Sequence, residues 1–373
     1  MLIICNNVHG FIHKNIKQNK KEKLIMKKIL SVVLAVVMLF AVVALAGCSK
    51  DPANNDDNKA ATLKFGLGVV ANYGEAKETS GEFIATAVAV LLDADGKIVK
   101  IDLDSVDLQP KWTEDGKIVA LEDLRTKYDL GKDYGMGGNP YAQDVNNDGK
   151  ILEWNEQVDA FMKTATGKTP AEVKAFVAEN GATSGDLATA GCTINVAEFM
   201  AALDKAVANA ADSTATAENN LKLALLAADH GSKDATEEAD GVQAYDVTIS
   251  AVVTDAEGKV VVAKTDCVSS EIKFNAKGEA TYDAKAEVKT KLELGKDYGM
   301  GGNPYAQDVN NDGKVLEWNE QAAEFDKALV GKTAADFAKL ADEKGNGTGD
   351  LATAGCTIGI SDMIKAAEVA AKA

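Results

Sequence analysis

The chain has 373 residues, of which 46% are hydrophobic and 26% charged, a soluble globular composition with room for two ordinary domains. The formal net charge is −17, and the first 47 residues hold seven lysines and one glutamate, so the remainder is more acidic still. Such a surface repels nucleic acid and anionic headgroups and attracts cations, which excludes nucleic-acid binding.

In chain order the first signal is "MKKILSVVLAVVMLFAVVALAGCSK", starting at Met26. Two lysines, an apolar run and then small residues have the order of a secretory signal. The run from Ile29 to Ala46 is near spanning length, so a retained membrane anchor is the alternative. "LAGC", ending at Cys48, resembles the bacterial lipobox. That resemblance implies cleavage before Cys48 and a diacylglycerol on its thiol, anchoring the chain to the extracellular face of the membrane. On this reading residues 26–47 are the signal peptide and residues 1–25 an over-called start. Residues 48–61, polar and aperiodic, are a flexible tether.

Of five cysteines, Cys5 lies in the leader and Cys48 is the lipid site, leaving Cys192, Cys267 and Cys356. An odd count without CxxC spacing is no disulfide framework. With His230 as the one histidine after the leader, zinc and thiol–imidazole chemistry find no ligand set.

The rest reads as two copies, 62–210 and 221–373, joined by a linker, "ADSTATAENN" (211–220). "GKDYGMGGNPYAQDVNNDGKILEWNEQ" at Gly131 returns at Gly295 with only Ile151 replaced, by Val315, and "GDLATAGCTI" at Gly185 returns unchanged at Gly349. So long a period is not a solenoid, and each copy is expected to hold its own core. Within a copy, "EFIATAVAVLLDADGKIVKIDLD" predicts two antiparallel strands around a D-G turn, and "KWTEDGKIVAL" another turn and strand. "EWNEQVDAFMKTA" then places Trp154, Val158, Phe161 and Met162 on one helical face. "TPAEVKAFVAEN" opens with Thr169, Pro170 and a capping-box Glu172; "NVAEFMAALDKAVANA" offers Asn195 and Glu198 as a second box. The predicted fold class is α+β: two tandem repeats, each a small antiparallel sheet with helices packed on one side.

Asp144, Asn146, Asp148 and Gly149 spell D-x-N-x-D-G, and Asp308, Asn310, Asp312 and Gly313 repeat it. Alternate oxygens turn inward around a hard cation, with the carbonyls of Lys150 and Lys314 as further ligands. An EF-hand needs a carboxylate at loop position 12, but Asn155 and Asn319 stand there; the nearest acids are Glu153, Glu156, Glu317 and Glu320. The expectation is a structural Ca²⁺ site held by Asp144, Asn146, Asp148, Lys150 and Glu156, and again by Asp308, Asn310, Asp312, Lys314 and Glu320. The alternative is a polar turn that caps its own backbone. Preceding it, "GKDYGMGGNPY" lacks the context of a nucleotide loop, and its Tyr134, Met136 and Tyr141 either pack on their own core or face a ligand.

"GDLATAGCTINVAEFMAALDKA" runs from Asp186 through Gly191, Cys192 and Thr193 into a helix. Free N–H groups, a helix dipole and a glycine together suit a phosphate. The segment resembles the FMN-binding domain motif, roughly Asp-x-x-Ser/Thr-Gly-Ala-Thr before an alanine-rich helix. In that family a flavin transferase esterifies FMN to the last threonine, which matches Thr193 and Thr357, with Gly191 and Gly355 for phosphate approach. Cys192 and Cys356 stand in place of the family's alanine, Ala190 and Ala354 where Ser or Thr is expected, and the Asp is one residue too far upstream. With "LGKDYGM" and "EWNEQ", the chain is similar to flavinylated lipoproteins of Gram-positive extracellular electron transfer.

That resemblance implies a redox carrier rather than an enzyme: a lipid-anchored protein bearing covalent FMN on each repeat and relaying electrons from a donor to an acceptor outside the membrane. The alternative is a calcium-stiffened tandem binding or structural module on the cell envelope without a redox cofactor.

Overall fold

The computed structural model describes residues 61–138, 144, 149, 151–302, 308 and 315–372. The leader, Cys48 and the tether lie outside them, as do Tyr141, Asn146, Asp148, Lys150, Asn310, Asp312, Gly313 and Lys314. Ala60–Ala373 form one compact unit of α+β structure with antiparallel sheets and packed helices. Among the described residues no helix is long and apolar enough to cross a membrane.

Three long strands come first: β1 (Lys64–Tyr73), β2 (Phe83–Leu92) and β3 (Ile98–Leu108). β2 pairs antiparallel with both neighbours, and the predicted D-G turn connects it to β3, with Asp93 Oδ1 accepting from the N–H of Asp95 and Lys97. The short β4 (Lys111–Trp112) and β5 (Ile118–Val119) form the second predicted hairpin. Then follow α1 (Lys127–Leu130), α2 (Trp154–Ala165), α3 (Pro170–Lys174), α4 (Gly185–Thr189) and α5 (Ala197–Ala208). β6 (Ala211–Asp212) leads to β7 (Asn220–Asp229), β8 (Gly241–Thr254) and β9 (Val260–Phe274), a second antiparallel sheet in that order. The chain closes with α6 (Lys291–Leu294), α7 (Trp318–Leu329), α8 (Ala334–Phe337), α9 (Gly349–Thr353) and α10 (Ser361–Lys372).

The layers follow from side-chain alternation. On β2, Phe83, Ala85, Ala87, Ala89 and Leu91 face one cluster, while Val88, Val90 and Leu92 face another. A strand covered on both sides reads as a continuous apolar run, and "FIATAVAVLL" does. The first cluster also takes Leu221, Leu223 and Leu225 from β7 and Val247, Ile249 and Ala251 from β8, so the two sheets stack face to face. Helices cover the two outer faces: α2 and α5 over one sheet, α7 and α10 over the other. Separate cores were expected for the two copies; the largest cluster is instead shared between them. Small inward alanines on β2 let the sheets approach, and Trp112 stacks on Phe274 at 4.6 Å while donating its Nε1–H to Gly278 O.

The expected linker is also structural. β6 pairs with β1, the Ala215 carbonyl accepts from Leu63 N–H, and Ala215 is fully buried.

Of the expected caps, Thr169 and Glu172 form the capping box around Pro170. The second does not form. Val196, not Asn195, is the N-cap of α5, and Glu198 reaches across to the sheet, accepting from Thr86 Oγ1 at 3.1 Å and Asn72 Nδ2 at 3.0 Å. The outer face of the first sheet carries a hydroxyl there, and a carboxylate in the first turn of the helix satisfies it.

Candidate functional site

The "EWNEQ" block is a structural joint. Glu153 is the N-cap of α2, and its Oε2 accepts from Met136 N–H at 3.0 Å; Glu156 Oε2 accepts from Glu153 N–H at 2.8 Å. Glu317 and Glu320 repeat both bonds around Met300 and α7. Glu156 and Glu320, expected as metal ligands, thus each commit one oxygen to a helix cap. Gln157, almost fully buried, donates Nε2–H to Leu152 O, and its Oε1 accepts from the N–H of Thr193 and of Ile194. Gln321 does the same for Thr357 and Ile358. These glutamines, not singled out in the sequence, fix the Gly-Cys-Thr turn to the long helix. The verbatim return of "EWNEQ" was the available signal.

That clamp corrects the expectation of free N–H groups for a phosphate. Gly191 N–H donates to Ala188 O, Cys192 N–H to Leu187 O, and the next two to Gln157. Gly191 is required by its backbone, at φ +104, and a Cβ there would lie 2.5 Å from Leu152 Cδ1. Gly355 has φ +105. Cys192 and Cys356 are fully buried, and burial pushes both thiols up to about 12. They are apolar core residues rather than ligand contacts.

The threonines differ. Thr193 Oγ1 donates to Gln157 Oε1 at 3.2 Å, whereas Thr357 Oγ1 is buried without a hydrogen-bond partner. Thr357 lines a cavity of about 510 Å³ on the outer face of the second sheet, together with Asp246, Cys267, Lys291, Tyr298 and Trp318. Its volume is that of a small-molecule pocket. Lys291 Nζ lies 3.0 Å from Asp246 Oδ2 and over the rings of Tyr298 (5.5 Å) and Trp318 (5.7 Å). Burial works against the lysine's charge, but Cys267 and Asp246 outweigh it and raise its pKa. Asp246 is pulled below the ordinary carboxylate range, because Lys291 and the Ser269 hydroxyl overcome its burial. His230 stands at the rim, its side chain 75% exposed and Nδ1 3.9 Å from Asp246.

The first sheet carries the corresponding pair, Lys127 Nζ to Asp107 Oδ2 at 3.2 Å, with Lys127 over Tyr134 and Trp154. Here the acid sits on β3 opposite Ile84; in the other half it sits on β8 opposite Ser269. Counted from the matching turns at Gly96 and Gly258, these are the same cross-strand pairs with the carboxylate moved to the neighbouring strand. The lysine keeps its counter-ion. Met136 and Met300 are buried, and Tyr134 packs edge-on against Trp154, so these side chains of the Gly-rich block turn toward the protein.

Asp104 and Asp266 accept from the N–H of Tyr128 and of Leu292, in the first turns of α1 and α6. Burial pushes Asp104 up to about 7 and Asp266 up to about 6; Asp326 on α7, accepting from Thr265 N–H, goes up to about 7. A carboxyl whose folded pKa is raised stabilises the fold below its unfolded value, and that contribution is lost as pH rises through the folded value. Melting temperature is therefore expected to fall by several degrees between pH 4.5 and 7.5, and Asp104→Asn/Asp326→Asn to flatten the profile. A thermal-melt series in one buffer ionic strength checks both.

No family profile, curated protein or solved structure matches this chain. Among the described residues no three His, Cys, Asp or Glu side chains converge as a metal site.

Proposed function

We propose that the protein is a lipid-anchored extracellular flavoprotein, a tandem duplication of one FMN-binding domain that relays electrons between a reductant and an acceptor outside the membrane. The observation that carries this reading is the unpartnered, buried hydroxyl of Thr357 on a cavity walled by Tyr298 and Trp318. Duplication is supported by the three long strands and later five α-helices found in each half, and by the paired glutamine clamps. Bound flavin would supply the redox chemistry. The chain's own residues would do the rest: the threonine of the Gly-Cys-Thr turn, Thr357 or its counterpart Thr193, offers the attachment hydroxyl, Gln321 holds the Thr357 turn, and the aromatic and Lys291 walls exclude water. Attachment is a phosphoryl transfer by a flavin transferase from a flavin dinucleotide. The threonine Oγ–P bond forms, the phosphoanhydride P–O bond breaks, AMP leaves, and the hydroxyl proton passes to the transferase's base. After co-production with such a transferase, the denatured band is expected to fluoresce as flavin in a gel, and Thr193→Ala/Thr357→Ala to remove the signal. A dark wild-type band sinks the reading.

A second reading, a calcium-braced envelope module, has its own support. Asp144 Oδ2 accepts from Gly149 N–H at 2.8 Å, which joins the first and last residues of the D-x-N-x-D-G motif. Asn155 Oδ1 and Asn319 Oδ1, at loop position 12, are buried without a hydrogen-bond partner. A neutral oxygen there would complete a cation's shell in place of the usual glutamate. Calcium is expected to raise the melting temperature by several degrees and chelator to reverse it. Identical melts in both conditions remove the metal.

A further inference from the structure

Resting on the flavin reading above, we propose that the two halves are not equivalent: the second-half cavity at Thr357 takes the flavin, and the first-half counterpart at Thr193 is closed by its own side chains. Three of the differences between the corresponding segments carry the argument. Glu198 in the first half is Asp362 in the second, Phe199 is Met363, and Asn195 is Gly359.

In the first half Glu198 spans from α5 to the sheet, joining Thr86 and Asn72, and Thr86 in turn meets Ser105 at 3.0 Å. Phe199 lies edge-on to Trp154 at 5.8 Å and to Phe161 at 5.5 Å, closing the aromatic wall on itself. Asn195 bonds Asn180 O and Ala197 N–H at the entrance to α5. Thr193 has spent its hydroxyl proton on Gln157. The Thr193, Glu198, Phe199 and Asn195 side chains are thus all engaged within the protein.

In the second half each engagement is missing. Asp362 is one methylene shorter and pairs instead with Lys365 on its own helix at 2.9 Å. Thr248, the counterpart of Thr86, meets the Cys267 sulfur at 4.0 Å in place of a carboxylate from the helix. Met363 leaves no ring over Trp318, and Gly359 removes a side chain from the mouth. What remains is the cavity, with the Thr357 hydroxyl facing no protein partner. A hydroxyl that gives up a bond on phosphorylation carries a cost that a free one does not, which favours Thr357 again.

The test is the intact mass of the full secreted chain, co-produced with a flavin transferase, followed by peptide mapping. One FMN per chain is expected, on the peptide containing Thr357. Thr193→Ala keeps it and Thr357→Ala loses it. Asn195→Gly/Glu198→Asp/Phe199→Met is expected to gain a second FMN, at Thr193. Two FMN on the wild type, or one at Thr193, overturns the asymmetry while leaving the flavoprotein reading intact. No FMN on any form overturns both. If the triple variant fails to melt cooperatively, the single threonine variants decide alone.

Discussion

Lys291→Met is expected to destabilise the protein by about 3–5 kcal/mol at neutral pH, the usual loss when one partner of a buried ion pair is removed. Asp246 would keep the Ser269 hydroxyl at 2.6 Å but lose the charge that holds its carboxylate ionised. The deficit should shrink as pH falls, because a protonated Asp246 no longer needs a cation. Lys291→Met/Asp246→Leu should recover most of the loss, since an apolar pair of similar volume avoids desolvating charge. Urea midpoints at pH 7 and pH 5 give all these values. If single and double variants are equally unstable, the lysine is kept for its contacts with Tyr298 and Trp318 and not for its charge. The first half offers a complementary check. Asp107→Ser should harm Lys127 as Lys291→Met harms Asp246, and adding Ile84→Asp should restore much of it, because that strand position supplies the acid in the other half.

Gly68→Val is the second large effect. α5 lies directly on β1, and a Cβ at Gly68 would stand 2.1 Å from Ala202 O and 2.3 Å from Ala206 N. Both are backbone atoms of a helix, so no rotamer change relieves the overlap. The helix must lift, and with it Phe199, Met200 and Leu203 leave the core. A loss at or above the top of the about 1–3 kcal/mol range for overpacking is expected. Gly137→Ala is the control: its Cβ would meet nothing within 4 Å, and its stability should stay near wild type. Chemical denaturation of the two variants side by side settles the comparison.

Much of the local structure was legible from residue order. The D-G turns, the paired strands, the helical face of Trp154, Val158 and Phe161, and the Thr169–Glu172 box each depend on neighbours a few residues apart. β1 and β7 were harder to read, because glycines at 66 and 68 interrupt the first and lysine at 222 the second. The failed box at Asn195 shows the limit of spacing rules. Glu198 had a local partner three residues back and a better one on the sheet, 112 residues away in sequence. The candidate site was partly legible too. Repetition pointed to Thr193 and Thr357 as equals, while their hydroxyls ended in different surroundings.

By itself, the sequence determined the α+β character, the acidic surface, and the turns and helices that recur in both halves, because these follow from period and composition. Only the tertiary structure decided that the sheets share a core, that two ordinary-looking lysines are buried over aromatic rings, and that Gln157 and Gln321 clamp the turns. It also decided that Thr357 lines a cavity and that the Thr193 hydroxyl bonds Gln157. An apolar run such as β2 reveals that both faces are covered without naming the cover. Likewise a lysine, a glutamine or a hydroxyl has the same letter whether solvent or a distant strand satisfies it. Those partners are chosen by packing across the fold: Glu198 reaches Thr86 on the sheet, whereas the shorter Asp362 pairs with Lys365 on its own helix.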